Sequence, residues 1–149
     1  MAKAIPSSSN NPYKKKGNII GLEQGKIPPQ AIELEEAVLG ALMIDKNALN
    51  EVIDILEPEC FYKDSHREIY SAIKILFTES QPIDMLTVST MLRKNGKLEL
   101  CGGDFGIANL TQKVASSAHI EYHSRIIVQK HIQRYEHGIL YAQKKQLFE

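Results

Sequence analysis

The stretch from Ser117 to Leu147, SAHIEYHSRIIVQKHIQRYEHGILYAQKKQL, holds no proline and a single glycine, Gly138. Ser117 can cap it and Glu121 falls in its first turn, so it reads as one uninterrupted helix. At ~1.5 Å per residue, a helix of about 30 residues is roughly 45 Å long. A compact domain of about 90 residues is only about 30 Å across. The distal half must therefore project beyond the domain that precedes it. That half carries Ile132, Tyr135, Ile139, Leu140, Leu147 and Phe148. An isolated helix with so much apolar surface needs a partner. Gly138 costs about 1 kcal/mol relative to alanine in a helix, and marks a bend, a close helix crossing or an early weak point.

Helical periodicity also governs residues 27–116. Leu34, Val38 and Leu42 recur in steps of four beside Glu33, Glu35 and Glu36, acids that suit the positive end of a helix dipole. Leu49, Val52, Ile53 and Leu56 form an i, i+3, i+4, i+7 face that Pro58 closes. Asp64 or Ser65 is placed to cap a third helix with the stripe Ile69, Ala72, Ile73 and Leu76. Gln81 and Pro82 break it. Asp84 caps a fourth helix carrying Met85, Val88 and Leu92, stopped by Asn95-Gly96. After Gly102-Gly103, a short fifth helix presents Phe105, Ala108 and Leu110. No period-two run and no hairpin signal occurs. The expected fold is all-α: a compact helical head of five to six helices, followed by a long projecting helix.

Of the 149 residues, 43% are apolar and 24% charged, with 18 Lys+Arg balancing 18 Asp+Glu. Zero net charge excludes a strong overall field directed at nucleic acid. No apolar run approaches the roughly 20 residues that cross a bilayer, and no signal-peptide pattern opens the chain. Two cysteines, Cys60 and Cys101, make no disulfide scaffold, so a reduced, cytoplasmic chain is expected. The charge is uneven along the sequence. Residues 1–26 hold five lysines and one glutamate, net +4, with too few apolar groups to offset the entropy of ordering them. They read as a disordered tail in which Lys14, Lys15 and Lys16 solubilise rather than grip nucleic acid. Residues 27–116 form the head, with eight basic against fourteen acidic residues, and 117–149 the long helix.

Catalytic patterns are near-misses. Gly21-Leu22-Glu23-Gln24-Gly25-Lys26-Ile27 falls one residue short of a phosphate-binding loop and ends on isoleucine where a magnesium-binding hydroxyl is needed. His119 and His123 are spaced i, i+4 around Glu121. A metalloprotease helix instead sets its glutamate directly after the first histidine and needs a further ligand. His66, His131 and His137 have no nucleophile or carboxylate at telling spacing, and Cys60 beside Phe61 reads as a buried structural thiol. Arg125, Lys130, Arg134, Lys144 and Lys145 form a basic face without the interleaved aromatics of a stacking platform, which fits a solvated face or the rim of a helix interface. No catalytic, cofactor or metal residue is assigned. Helical periodicity picks Tyr122, Ile126, Ile127, Lys130, Arg134, Tyr135 and Ile139 as protein-interface residues.

Residues 27–42, IPPQAIELEEAVLGAL, resemble the opening of the N-terminal domain of bacterial replicative DNA helicases of the DnaB family. Pro58–Tyr62 (PECFY), His66–Tyr70 (HREIY), Pro82–Asp84 (PID), Gly102-Gly103 and Ile120–His123 (IEYH) continue the likeness in order. Departures are Cys60 in place of the usual Asp, Gly106 in place of a common aromatic, and the Tyr135–Gly138 segment. The resemblance implies a helical head followed by the first arm of a helical hairpin. Hairpins pair between subunits, so that six chains form a homohexamer, a trimer of dimers, on which the primase C-terminal domain docks; a helicase loader is a further expected partner. It implies too that ATP, magnesium and DNA are handled by a C-terminal RecA-like domain absent from this sequence. The chain would thus be a fragment without ATPase or helicase activity, its pairing weakened so that it forms a monomer or a non-native dimer and not a stable hexamer. Two rival readings are a free-standing helical adaptor and a DNA-binding module.

Overall fold

A computed structural model describes residues 27–114 and 118–148. The tail at 1–26 and the cap expected at Ser117 lie outside the described residues. Among those described, six α-helices and two 3-10 turns follow in order, with no strand: α1 (Ile32–Ile44), α2 (Ala48–Val52), a turn at Pro58–Cys60, α3 (Asp64–Thr78), α4 (Met85–Lys94), a turn at Glu99–Cys101, α5 (Gly103–Gln112) and α6 (Ile120–Phe148). The all-α expectation is met.

Helix α1 runs through the middle, against α2, α3, α4, α5 and α6. Its residues from Val38 to Met43 are all buried, so it is covered all round rather than along the one stripe that Leu34, Val38 and Leu42 suggest. Gly40 lies where α1 crosses α5 most closely; a Cβ there would overlap the Leu110 carbonyl oxygen and the Val114 side chain.

Helix α2 is shorter than its periodicity predicts. It stops at Val52, and the Ile55 and Leu56 amides both donate to the Val52 carbonyl, at 2.9 Å each. The turn still delivers Leu56 to the core. Helix α3 buries the expected Ile69, Ala72, Ile73 and Leu76. Its cap differs from expectation: Lys63 holds the cap position without a side-chain bond, and Asp64 pairs with Arg67 at 3.1 Å. The helix ends at Ser80, in the left-handed region at φ 55°, where the Gln81 amide closes on the Leu76 carbonyl at 2.8 Å. Asp84 caps the start of α4 as expected, with Thr87 completing a reciprocal capping box, and Gly96 at φ 71° stops that helix, also as expected.

Helix α5 corrects the sequence reading. Phe105 is 82% exposed, and Ile107 and Leu110 are the buried side chains. Gly106 sets that rotation, because its Cα faces the Cys101 carbonyl so closely that any Cβ would overlap it.

Both cysteines are buried in the head. The Cys101 thiol donates to the Ser65 carbonyl at 3.6 Å, and burial, with Glu68 adding to it, pushes its pKa from 9.0 up to about 11. Burial raises Cys60 as well. Below pH 9 both the folded and the unfolded chain hold the Cys101 proton. Between pH 9 and 11 the unfolded chain releases it first, so stability falls as pH rises through this window. The expected loss is about 2 kcal/mol at most. Urea titrations at pH 8 and 10.5 check it: Cys101→Ala should lose less stability between the two than the parent chain.

A candidate docking arm

The inward seam of α6 is Ile120, Ser124 and Ile127, all buried against the head, spaced by four and three. This proximal half packs on α1, α2 and the Pro58–Cys60 turn. Two steps further along the seam comes Arg134, which also turns inward. Its Nη1 donates to the Pro29 carbonyl and its Nη2 to the Cys60 carbonyl, each at 2.8 Å. Its guanidinium lies 5.4 Å from the centre of the Tyr62 ring, a cation–π approach.

The chain that receives Arg134 is itself held by a buried carboxylate. Glu35, 1% exposed, accepts from the Tyr62 amide at 2.8 Å and, at 3.5 Å, from the Lys63 amide. Its other contact is His66 Nδ1 at 2.8 Å; a carboxylate only accepts, so that ring nitrogen carries the hydrogen. Arg67 Nε adds a bond to the Phe61 carbonyl at 2.7 Å. Burial pulls the Arg134 pKa below its usual value, Glu35 opposes that, and Arg67 reinforces it. Glu35 and Arg134 thus both brace the Cys60–Lys63 segment.

Past Arg134 the arm leaves the head. Tyr135 is 68% exposed and Ile139 41%, and Leu140, Tyr141 and Leu147 are exposed as well. The interface residues picked by periodicity fall into two groups. Tyr122, Tyr135 and Ile139 are exposed, with Ile126 and Lys130 half-buried. Ile127, 1% exposed, is a core residue of the head and is not available to a partner, and Arg134 is engaged with the head's own backbone. Periodicity finds an apolar stripe but not the point along it where the head ends. Glu35, which sequence reading gave only a dipole role, is the centre of the buried polar network; its partner His66 lies 31 positions away.

The remaining candidates gather no site. The His119 and His123 rings sit 6.2 Å apart, edge to face. Among the described residues no three His, Cys, Asp or Glu side chains come together to hold a metal ion. The basic face is partly neutralised at the surface: Arg125, exposed, pairs with Glu121 at 2.8 Å, while Lys144 and Lys145 are exposed. No helix among the described residues is long and apolar enough to cross a membrane.

A model of the family described as DnaB-like helicase N terminal domain matches residues 27–129. The replicative DNA helicase DnaB of Rhodothermus marinus is 46% identical over 112 residues, covering 75% of this chain and 12% of that protein. The replicative DNA helicase DnaC of Bacillus subtilis is 38% identical over 109 residues, 73% of this chain and 24% of that protein. The chain therefore spans a quarter or less of the curated relatives named here. The crystal structure of the N-terminal domain of DnaB helicase from Mycobacterium tuberculosis superposes with a TM-score of 0.75 at 31% identity, covering 81% of this chain and 88% of that one.

Proposed function

The chain belongs to the family of DnaB-like helicase N-terminal domains, and from that premise we propose that it assembles and docks rather than catalyses. Copies join through the arm, and the collar they form receives the C-terminal domain of primase and a helicase loader. The parent protein on this reading is an ATP- and magnesium-dependent helicase that unwinds duplex DNA at the bacterial replication fork, in the cytoplasm. Its nucleotide and DNA are bound elsewhere in the longer chain.

One observation carries the reading: Tyr135, Ile139, Leu140, Tyr141 and Leu147 stand exposed on a helix that has already left its own head. Apolar area removed from water is worth about 25 cal/mol per Å², before the entropic losses of association. Among the described residues these are exposed apolar side chains beyond the head that a partner could still cover.

Light scattering over a range of concentrations tests the proposal. The expected result is a reversible rise in mean mass with concentration, short of a stable hexamer. Ile139→Glu should weaken the association about tenfold or more, the equivalent of about 1.4 kcal/mol. A wild-type chain that stays monomeric at every concentration, or a variant that associates as well as wild type, removes the arm from the account.

A further inference from the structure

Between the buried Ile127 and the exposed Gly138 the arm runs for three helical turns beside the head, and no fully buried apolar side chain holds it there. Val128 packs half-buried against the core at the start of this stretch, and beyond it the half-buried positions are Lys130, His131, Gln133 and Arg134. At Gly138 a Cβ would meet nothing within 4 Å, so the contact ends within a turn of Arg134. We propose that Arg134 is the positioning residue that fixes the direction in which the arm leaves the head, a latch that opens while the head stays folded.

Three features make it a latch. The guanidinium is a planar fork, and it spans two acceptors from chain segments far apart in sequence, the Pro29 carbonyl 105 positions away and the Cys60 carbonyl 74 positions away. A lysine, with one nitrogen, does not reproduce that bridge. One of the acceptors is held before the arm arrives. The Tyr62 and Lys63 amides are tied to Glu35 and the Phe61 carbonyl to Arg67, so the Cys60–Lys63 segment is a prepared socket rather than a loop that folds around the arm.

The third feature is strength. Both acceptors are neutral carbonyls, and among the described residues no carboxylate lies within ion-pair distance of Arg134. The grip rests on two hydrogen bonds and one cation–π approach, whereas the head is held by its whole packed core. Local opening at such a point precedes global unfolding. The consequence for pairing rests on the docking role proposed above; the arm's direction does not.

Pulsed electron spin resonance on the whole chain tests the latch. Spin labels go on cysteines introduced at Glu79, exposed at the end of α3, and at Gln143, exposed on the arm; Cys60 and Cys101 are buried. Excess unlabelled chain keeps the measured distances within one molecule. A second pair at Gln129 and Gln143 reports on the arm alone. Arg134→Gln should broaden the Glu79–Gln143 distribution about twofold or more, with Arg134→Lys in between. The Gln129–Gln143 distance and the amide-exchange protection of α1 and α3 should stay as in wild type. An unchanged Glu79–Gln143 distribution would mean that Ile127 packing sets the direction. Broadening of the arm's internal distance would mean melting, and lost head protection would mean a general structural role; each overturns the proposal. Light scattering on the same samples reports pairing separately, so an arm that swings in a chain that never pairs sinks the docking role and leaves the latch standing.

Discussion

Gly40→Ala is expected to destabilise the domain by about 2 kcal/mol net, although the substitution improves helix propensity. Two terms oppose each other. Alanine in the middle of a helix gains about 1 kcal/mol over glycine. Overpacking a well-filled core costs about 1–3 kcal/mol, occasionally more. At Gly40 the steric term is at the upper end, because one of the two overlapped atoms is the Leu110 carbonyl oxygen. A side chain can rotate aside, but a backbone carbonyl moves only with its helix. Shifting α5 away from α1 would lift Ile107 and Leu110 out of the core, where both are buried. A thermal melt should fall by about 8–16 °C, at roughly 4–8 °C per kcal/mol for a domain of this size. Adding Val114→Ala removes the other overlap and should restore only part of the loss. Gly138→Ala is the internal control. That glycine is exposed on the arm with nothing to strike, so only the propensity term survives, and the change should be stabilising. Gly40→Ala and Gly138→Ala melting alike would refute the close crossing of α1 and α5.

How far such features can be read from sequence depends on how local their cause is. The stripe of α3 and the Asp84 cap of α4 are visible because each is set within one or two turns: Ile69 to Leu76 by their own spacing, Asp84 by its bond to an amide three positions on. The distal arm is visible because length alone forces it out of a small head. Phe105 is misplaced because α5 is short and opens on Gly102-Gly103, leaving its rotation to the Cys101 carbonyl against Gly106. Gly40 shows nothing in sequence, since closeness to α5 is a property of the pair of helices. Glu35 is misread for a related reason. Glutamate in a first turn has an adequate explanation in the helix dipole, and nothing local distinguishes Glu35, buried, from Glu33, exposed.

That buried carboxylate leads to the larger expected effect: His66→Leu should cost about 3 kcal/mol, the penalty for leaving a buried carboxylate short of its hydrogen-bond donor. Leucine fills much of the imidazole volume, so the loss comes from the polar account rather than from a cavity. Glu35 would keep one good bond, from the Tyr62 amide at 2.8 Å, and one long one, from Lys63 at 3.5 Å. Glu35→Gln is the informative contrast. Its amide oxygen can still accept from Tyr62, and its NH2 can donate to His66 Nδ1 once the ring proton moves to Nε2. The two short bonds then survive and only the long one from the Lys63 amide, which shares the His66-facing oxygen, is lost, so the cost should be about 1 kcal/mol. Chemical denaturation of the two variants separates the effects, and equal losses would mean that Glu35 is hydrated and the network is not the brace described above. The network also reaches beyond stability. Glu35 orders the amides of Tyr62 and Lys63, and Cys60, two residues before Tyr62, offers one of the carbonyls that Arg134 grips. His66→Leu should therefore loosen the arm as well as the head, whereas Arg134→Gln loosens the arm alone. That one-way dependence follows from geometry: Glu35 and His66 are bonded within the head, and Arg134 joins it from outside.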